Sequence, residues 1–176
     1  MMRNLVVVAV LTFAVSVVHG AELLRVGAPF PTWSLVDQTG KTVASKELAG
    51  KKYLLWFYPK AMSSGCTAEG NGLRDKSPDF QKAEVEILGV SFDSPQNNAR
   101  FVEAQRFPFR LLSDTDRKLA TAVGAAGSAQ QPVARRISYL VGGDGKVLHV
   151  YDTVTPASHA ADVLRSLPAA TPDGVQ

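Results

Sequence analysis

Residues 51–70 have the sequence KKYLLWFYPKAMSSGCTAEG, which combines a strand, a loop and the start of a helix. The run from Tyr53 to Tyr58 is apolar and aromatic, which favours a strand buried on both faces. Pro59 ends the strand, and Cys66 falls at the predicted first helical turn. Free N–H groups and the helix dipole favour a thiolate there, so we expect a reactive cysteine at the carboxyl end of a central strand. An inert, buried cysteine is the alternative.

Strands and helices alternate on both sides of this stretch. Strands separated by helices pair in parallel, and a late hairpin adds an antiparallel edge. The order therefore predicts a three-layer α/β/α sandwich with a mixed central sheet and an N-terminal β-hairpin. The predicted strands are 33–36, 41–43, 51–58, 85–92, 110–112, 136–141 and 147–151, and the predicted helices are 66–83 (broken near 77–78), 95–106, 116–123 and 158–167, with a loop at 125–133.

Composition excludes several classes of function. The chain has 19 Lys and Arg against 16 Asp and Glu, a formal net charge of +3, without a basic run. We therefore predict no binding of nucleic acid. The single cysteine excludes an intrachain disulfide and a Cys-x-x-Cys pair. The histidines at 19, 149 and 159 are scattered, so we expect neither a metal site nor a cofactor.

Residues 1–20 are typical of a signal peptide. Arg3 precedes an apolar run from Leu5 to Val18, and small residues stand before Ala21. The run is about 14 residues, short of the ~20 needed to span a membrane, although an uncleaved anchor is the alternative. We predict an exported, periplasmic or secreted protein with a domain at 21–168 and a flexible tail at 169–176.

Several blocks of sequence resemble one family. Pro59, Ser63 and Cys66 match the Pro-x-x-x-Thr/Ser-x-x-Cys pattern of peroxiredoxins of the bacterioferritin-comigratory, or Q-type, group in the AhpC/TSA superfamily. The stretches 88–94, 107–114 and 136–147 resemble later blocks of the same group, in the same order.

The resemblance implies a thioredoxin-like fold. It also implies a thiol-dependent peroxidase that reduces hydrogen peroxide and organic hydroperoxides. Cys66 would be the peroxidatic thiolate, and Ser63 would hydrogen-bond the sulfur or the attacked oxygen. Pro59 would shield the site, and Arg136 would stabilise the thiolate and the transition state. Glu69 would either orient the arginine or simply suit the first helical turn.

One departure from the family concerns turnover. Many Q-type members have a resolving cysteine five residues after the first, where this chain has Asn71. We therefore predict a one-cysteine enzyme, resolved by an external thioredoxin-, glutaredoxin- or glutathione-like thiol or by Cys66 of a second molecule, in a monomer or weak dimer. The alternative is an exported thioredoxin-fold protein that binds or handles thiols without efficient peroxidase turnover.

Overall fold

The computed structural model describes residues 22–167. The predicted signal peptide (1–20) and tail (169–176) lie outside these residues. The strands are β1 (Ser34–Asp37), β2 (Thr42–Ala44), β3 (Lys52–Phe57), β4 (Val85–Ser91), β5 (Arg110–Ser113), β6 (Ile137–Val141) and β7 (Val147–Tyr151). The helices are α1 (Ser64–Asp75), α2 (Ser77–Lys82), α3 (Pro95–Gln105), α4 (Lys118–Ala122) and α5 (His159–Ser166), with a 3₁₀ turn at Ser45–Leu48.

The seven strands form one mixed sheet in the order β2-β1-β5-β4-β3-β6-β7. β3, β4 and β5 are parallel, because helices on one face connect them. β6 pairs antiparallel with β3, and the β1–β2 hairpin joins β5 in the antiparallel sense. The mixed sheet and the N-terminal hairpin are therefore as predicted.

Helices cover the two faces of the sheet unequally. The buried residues of α1, α2, α3 and α5 form an apolar cluster with one face, and α4 and the 3₁₀ turn pack on the other. This confirms the three-layer sandwich. Members of the cluster on the α1 face include Leu54, Trp56, Tyr58, Cys66, Leu73, Phe80, Phe101, Phe107 and Val163.

Two helices differ in extent from the sequence prediction. The 66–83 helix divides into α1 and α2 at Lys76, next to Ser77-Pro78, close to the predicted break. The helix predicted over 116–123 begins only at Lys118, because Arg117 has a left-handed backbone (φ 60°). The buried Asp114 carboxylate then accepts hydrogen bonds from the N–H groups of Leu119 and Ala120 and so caps α4.

The loop predicted at 125–133 also contributes to the core. Ala125 and Ala126 are fully buried, and the exposed part of the loop begins at Gly127. Within residues 22–167, no helix is long and apolar enough to cross a membrane.

Strand register brings the separated site residues together. Phe57, the last residue of β3, pairs with Ile137, the first residue of β6. The residue before β6 therefore lies beside the segment that follows β3. This places Arg136 at the same edge of the sheet as the loop leading to Cys66.

Candidate active site

Cys66 lies in the first turn of α1. Ser63 is the N-cap, with an extended backbone (φ −71°, ψ 150°), and Cys66 is the third helical residue. The side chain of Cys66 is fully buried (0% exposed) within the apolar cluster on the α1 face. The backbone N–H groups of a first helical turn lack intrahelical partners, so this position favours a negative charge on the sulfur.

Among the described residues, the guanidinium group of Arg136 contacts this sulfur. Its Nη2 lies 3.5 Å from Cys66 Sγ in a hydrogen bond. Gly65 permits the approach, because a Cβ at that position would lie 3.0 Å from the same Nη2. The structure thus brings together Cys66 and Arg136, two of the four predicted site residues, across 70 positions of sequence.

Glu69 holds the other end of the guanidinium. It lies one turn after Cys66, its side chain is fully buried, and its Oε2 accepts a hydrogen bond from Arg136 Nη1. Burial raises the pKa of Glu69 to about 7, against the opposing influence of the Trp56 indole N–H and of Arg136. Burial acts to lower the pKa of Arg136, but the charges of Glu69 and Cys66 outweigh it and the pKa is raised.

The loop from Pro59 to Ser63 contains the other two predicted residues. Pro59 is half-buried directly after Tyr58, which completes the strand-like run. The Ser63 hydroxyl donates to the carbonyl of Lys60 (3.0 Å) and makes no hydrogen bond with Cys66 Sγ. Ser63 therefore stabilises the loop in this structure, and its predicted contact with an attacked oxygen stays a prediction. Met62 has a left-handed backbone (φ 65°) and is 55% exposed.

Asp93 holds this loop from the end of β4. Its buried carboxylate accepts hydrogen bonds from the Ala61 N–H (2.8 Å) and the Ser91 hydroxyl (3.2 Å) through Oδ2. Its Oδ1 lies 2.8 Å from Lys60 Nζ in an ion pair. Asp93 was not among the site residues predicted from the sequence. Its position just after a buried strand adjacent to β3 is the signal that identifies it.

Comparisons with known proteins agree with this geometry. The sequence profile of the AhpC/TSA family matches residues 26–150. This chain belongs to the AhpC/TSA family. Peroxiredoxin Bcp of Escherichia coli K12 is 38% identical over 149 residues, which cover 82% of this chain and 96% of that protein.

Two solved structures share the fold of this peroxiredoxin. The peroxidoxin BcpB of Mycobacterium tuberculosis superposes with a TM-score of 0.76 and 30% identity, covering 82% of this chain and 96% of the other. The bacterioferritin comigratory protein of Xanthomonas campestris superposes with a TM-score of 0.73 and 32% identity, covering 84% and 96%. The predicted family is confirmed, and the single cysteine makes this a one-cysteine peroxiredoxin.

Two further residues of this peroxiredoxin lie near Glu69 and were not predicted as site residues. His159 Nε2 lies 2.9 Å from Ser138 Oγ and 3.8 Å from Glu69 Oε1, and all three side chains are buried. Ser138 and His159 are 21 positions apart on different elements, so no local spacing indicates their contact. Within residues 22–167, no group of three His, Cys, Asp or Glu side chains is arranged to hold a metal ion.

Proposed function

We propose that this peroxiredoxin reduces hydrogen peroxide and organic hydroperoxides through Cys66, with electrons from an external thiol. The observation that carries the proposal is the contact of Arg136 Nη2 with Cys66 Sγ at the first turn of α1. A fixed cation and free N–H groups at one sulfur favour the thiolate, which is the nucleophilic form of cysteine.

The first step is a two-electron oxidation of the sulfur. The Cys66 thiolate attacks one peroxide oxygen, an S–O bond forms and the O–O bond breaks. The leaving alkoxide or hydroxide takes up a proton and departs as an alcohol or water, and Cys66 becomes a sulfenic acid. Arg136 stabilises the charge that moves from sulfur to the leaving oxygen, because it is already in place before reaction.

Pro59 and Ser63 shape the approach of the peroxide. Both lie on the loop that Asp93 holds through the Ala61 N–H, so the loop enters α1 in a fixed path. We propose that Pro59 shields the thiolate from water. We propose that the Ser63 hydroxyl exchanges its bond to the Lys60 carbonyl for one to a peroxide oxygen.

The second step regenerates the thiol. With one cysteine in the chain, a thiol from outside condenses with the sulfenic acid, releasing water and leaving a mixed disulfide. A second thiol then reduces this disulfide. A thioredoxin-, glutaredoxin- or glutathione-like molecule fits this role better than a second Cys66. Because Cys66 is fully buried, joining two copies requires more local opening than admitting a small thiol.

Stopped-flow oxidation followed by mass spectrometry tests the proposal. The reduced protein is mixed with one equivalent of hydrogen peroxide or of an organic hydroperoxide, with Cys66→Ser as the control. We expect a mass increase of one oxygen atom that a sulfenic-acid reagent traps, followed by turnover when thiols are added. Slow oxidation of Cys66 would instead favour a thiol-binding protein without peroxidase turnover. Quantitative formation of a disulfide-linked dimer without a trappable intermediate would show that Cys66 of a second copy, and not an external thiol, resolves the sulfenic acid.

We also propose that the protein is exported and acts in the periplasm or outside the cell as a monomer or weak dimer. The support is the sequence of residues 1–20, with its positive start and apolar run. The intact mass of the protein recovered from the periplasmic or extracellular fraction tests this. An intact mass equal to that of a chain beginning at Ala21 supports export, and full-length protein in the cytoplasm contradicts it. Sedimentation of the same sample gives the oligomeric state.

A further inference from the structure

Glu69 is incompletely bound by the residues described so far. Its Oε2 is engaged by Arg136, whereas its Oε1 is buried and makes no hydrogen bond within residues 22–167. A carboxylate with one free oxygen rotates about its last bond unless packing or a second dipole holds it. The groups around Oε1 therefore decide how precisely Arg136 is placed.

Besides Arg136, two polar groups act on or lie near the Glu69 carboxyl group: the Trp56 indole N–H and His159, whose Nε2 is the nearer ring atom to Oε1. His159 begins α5, which packs on α1, and it is almost fully buried. Its Nε2 lies 3.8 Å from Glu69 Oε1 and 2.9 Å from Ser138 Oγ. The nearby carboxylate favours the tautomer with the proton on Nε2, since a lone pair there would face a negative charge. In that tautomer the Nε2–H group donates to Ser138 Oγ, and its partial positive charge lies close to Oε1.

The imidazole is itself held on two sides. Ser138, on β6, fixes Nε2, and the ring of Tyr151, on β7, packs edge-on against it with centroids 5.3 Å apart. Burial lowers the pKa of His159 to about 4, so the ring is neutral at ordinary pH and acts as a dipole. The ionisable groups beside Glu69 and His159 are Arg136 before β6, Asp162 on α5 and Tyr151 on β7, and Cys66 on α1 contacts Arg136 in turn.

We propose that His159, fixed by Ser138, is a positioning residue for the peroxidatic site, acting through Glu69 on the Arg136 guanidinium that contacts Cys66. The chain of contacts runs from Ser138 to His159, Glu69, Arg136 and Cys66, and each link is one of the distances or hydrogen bonds given above. The inference rests on the proposed peroxidase function. It assigns a reaction-related role to a histidine that touches neither substrate nor sulfur.

Rapid-quench oxidation by hydrogen peroxide and the pH profile of Cys66 alkylation by iodoacetamide test the proposal in four single variants. His159→Phe keeps a ring without polar atoms, and His159→Gln keeps a donor. Ser138→Ala frees the ring. Val163→Ala, also buried on α5, weakens packing without removing a polar contact.

We expect His159→Phe to slow oxidation by about tenfold or more, because small displacements of a preorganised group are costly. The midpoint of its alkylation profile moves upward. His159→Gln recovers most of the rate, Ser138→Ala is intermediate, and Val163→Ala stays within about twofold of the wild type. A loss in Val163→Ala equal to that in His159→Phe would reduce the histidine to a packing role and overturn the proposal.

A double-mutant cycle adds a readout that packing alone does not move. In a Glu69→Gln background, we expect His159→Phe to change the rate by less than about twofold, because the residue through which it acts is altered. Independent, additive losses would overturn the proposal. Slow oxidation of the wild type would refute the peroxidase function, but the shift of the alkylation midpoint would still test whether His159 positions Arg136.

Discussion

Asp93 and Glu69 are both buried carboxylates beside the Cys66 segment, but their partners are of different kinds. Asp93 accepts from a backbone N–H and a hydroxyl, and pairs with the exposed Lys60. Glu69 pairs with the partly buried Arg136 through one oxygen, and within residues 22–167 its other oxygen accepts no hydrogen bond of normal length. The first carboxylate fixes the path of a loop, whereas the second fixes the position of a charge.

The two carboxylates therefore have different roles, although both lie close to the Cys66 segment: Asp93 holds the loop and Glu69 holds the cation. Both carboxylates lie near the same loop and helix. Removal of Asp93 leaves the Ala61 N–H of the loop without its acceptor, whereas removal of Glu69 leaves the Arg136 guanidinium without its carboxylate partner. We therefore expect Asp93 variants to alter local stability, and Glu69 variants to alter pH dependence and reactivity. The following predictions test this division, from the largest expected effect to the smallest.

Arg136→Met tests whether the partner of Glu69 is the reactive cation. Loss of one preorganised charge at the reacting sulfur costs about 2–4 kcal/mol, so peroxide oxidation of Cys66 slows by roughly 10²–10³. Arg135→Met is the matched control, because its guanidinium donates to the Gly124 carbonyl instead. Stopped-flow measurement of Cys66 oxidation in both variants checks this prediction. Equal and small decreases in rate would contradict the assignment of Arg136.

The pH dependence of unfolding tests whether burial shifts the pKa values of Glu69 and His159 in opposite directions. The pKa of Glu69 rises from 4.5 to about 7 on folding, so its contribution to stability is present below pH 4.5 and is lost as pH rises towards 7. The pKa of His159 falls from 6.5 to about 4, so its contribution is present above pH 6.5 and is lost as pH falls. The two slopes oppose each other between these limits.

Single variants should therefore reveal opposite slopes. We expect the free energy of unfolding of His159→Gln to fall by on the order of 2–3 kcal/mol between pH 4.5 and 7, relative to the wild type. That of Glu69→Gln should fall by a similar amount as pH decreases from 6.5 to 4. Urea titrations across this range give both curves. Parallel curves for the two variants would show that neither group carries the burial shift described.

Asp93→Ala tests the loop-holding carboxylate. The Ala61 N–H loses its acceptor, which costs about 1–3 kcal/mol for a buried donor. Hydrogen exchange at the Ala61 amide should accelerate, while exchange in the centre of α5 stays unchanged. Asp75→Ala, at an exposed aspartate, is the control. Unchanged protection of Ala61 would contradict the division of tasks.

Lys60→Met has the smallest expected effect. The lysine side chain is 60% exposed, so its pair with Asp93 is screened by water and contributes about 1 kcal/mol or less. Protection of the Ala61 amide should persist, because the backbone hydrogen bond does not need the ammonium group. A loss as large as that of Asp93→Ala would mean that the ion pair, rather than the backbone contact, holds the loop.

The sheet and most helices were predictable because their signals are local. The apolar run after Lys52 and the Ser94-Pro95 helix start each lie within a few residues, and the structure has β3 and α3 there. The predicted start of the helix over 116–123 was wrong, because α4 begins at Lys118. Arg117 adopts a left-handed backbone that composition does not reveal, and this shortens α4.

The site was only partly predictable because its contacts are long-range. Cys66 could be selected from its helix position alone, whereas Arg136 was selected through the family resemblance and lies 70 positions away. Glu69 was noted but left outside the catalytic set. Its pairing with Arg136 depends on the register of β3 and β6, which no short motif encodes.

Gly65 affects the active site because its lack of a side chain leaves room for the Arg136 guanidinium. A methyl group there would meet Arg136 Nη2 at 3.0 Å, so the guanidinium would have to yield by a few tenths of an ångström. Helix propensity favours the opposite choice, since alanine in place of a helical glycine contributes about 0.5–1 kcal/mol. Fold stability and catalytic alignment therefore make conflicting demands on one residue. Selection for heat resistance alone would favour alanine and would displace the cation from the sulfur.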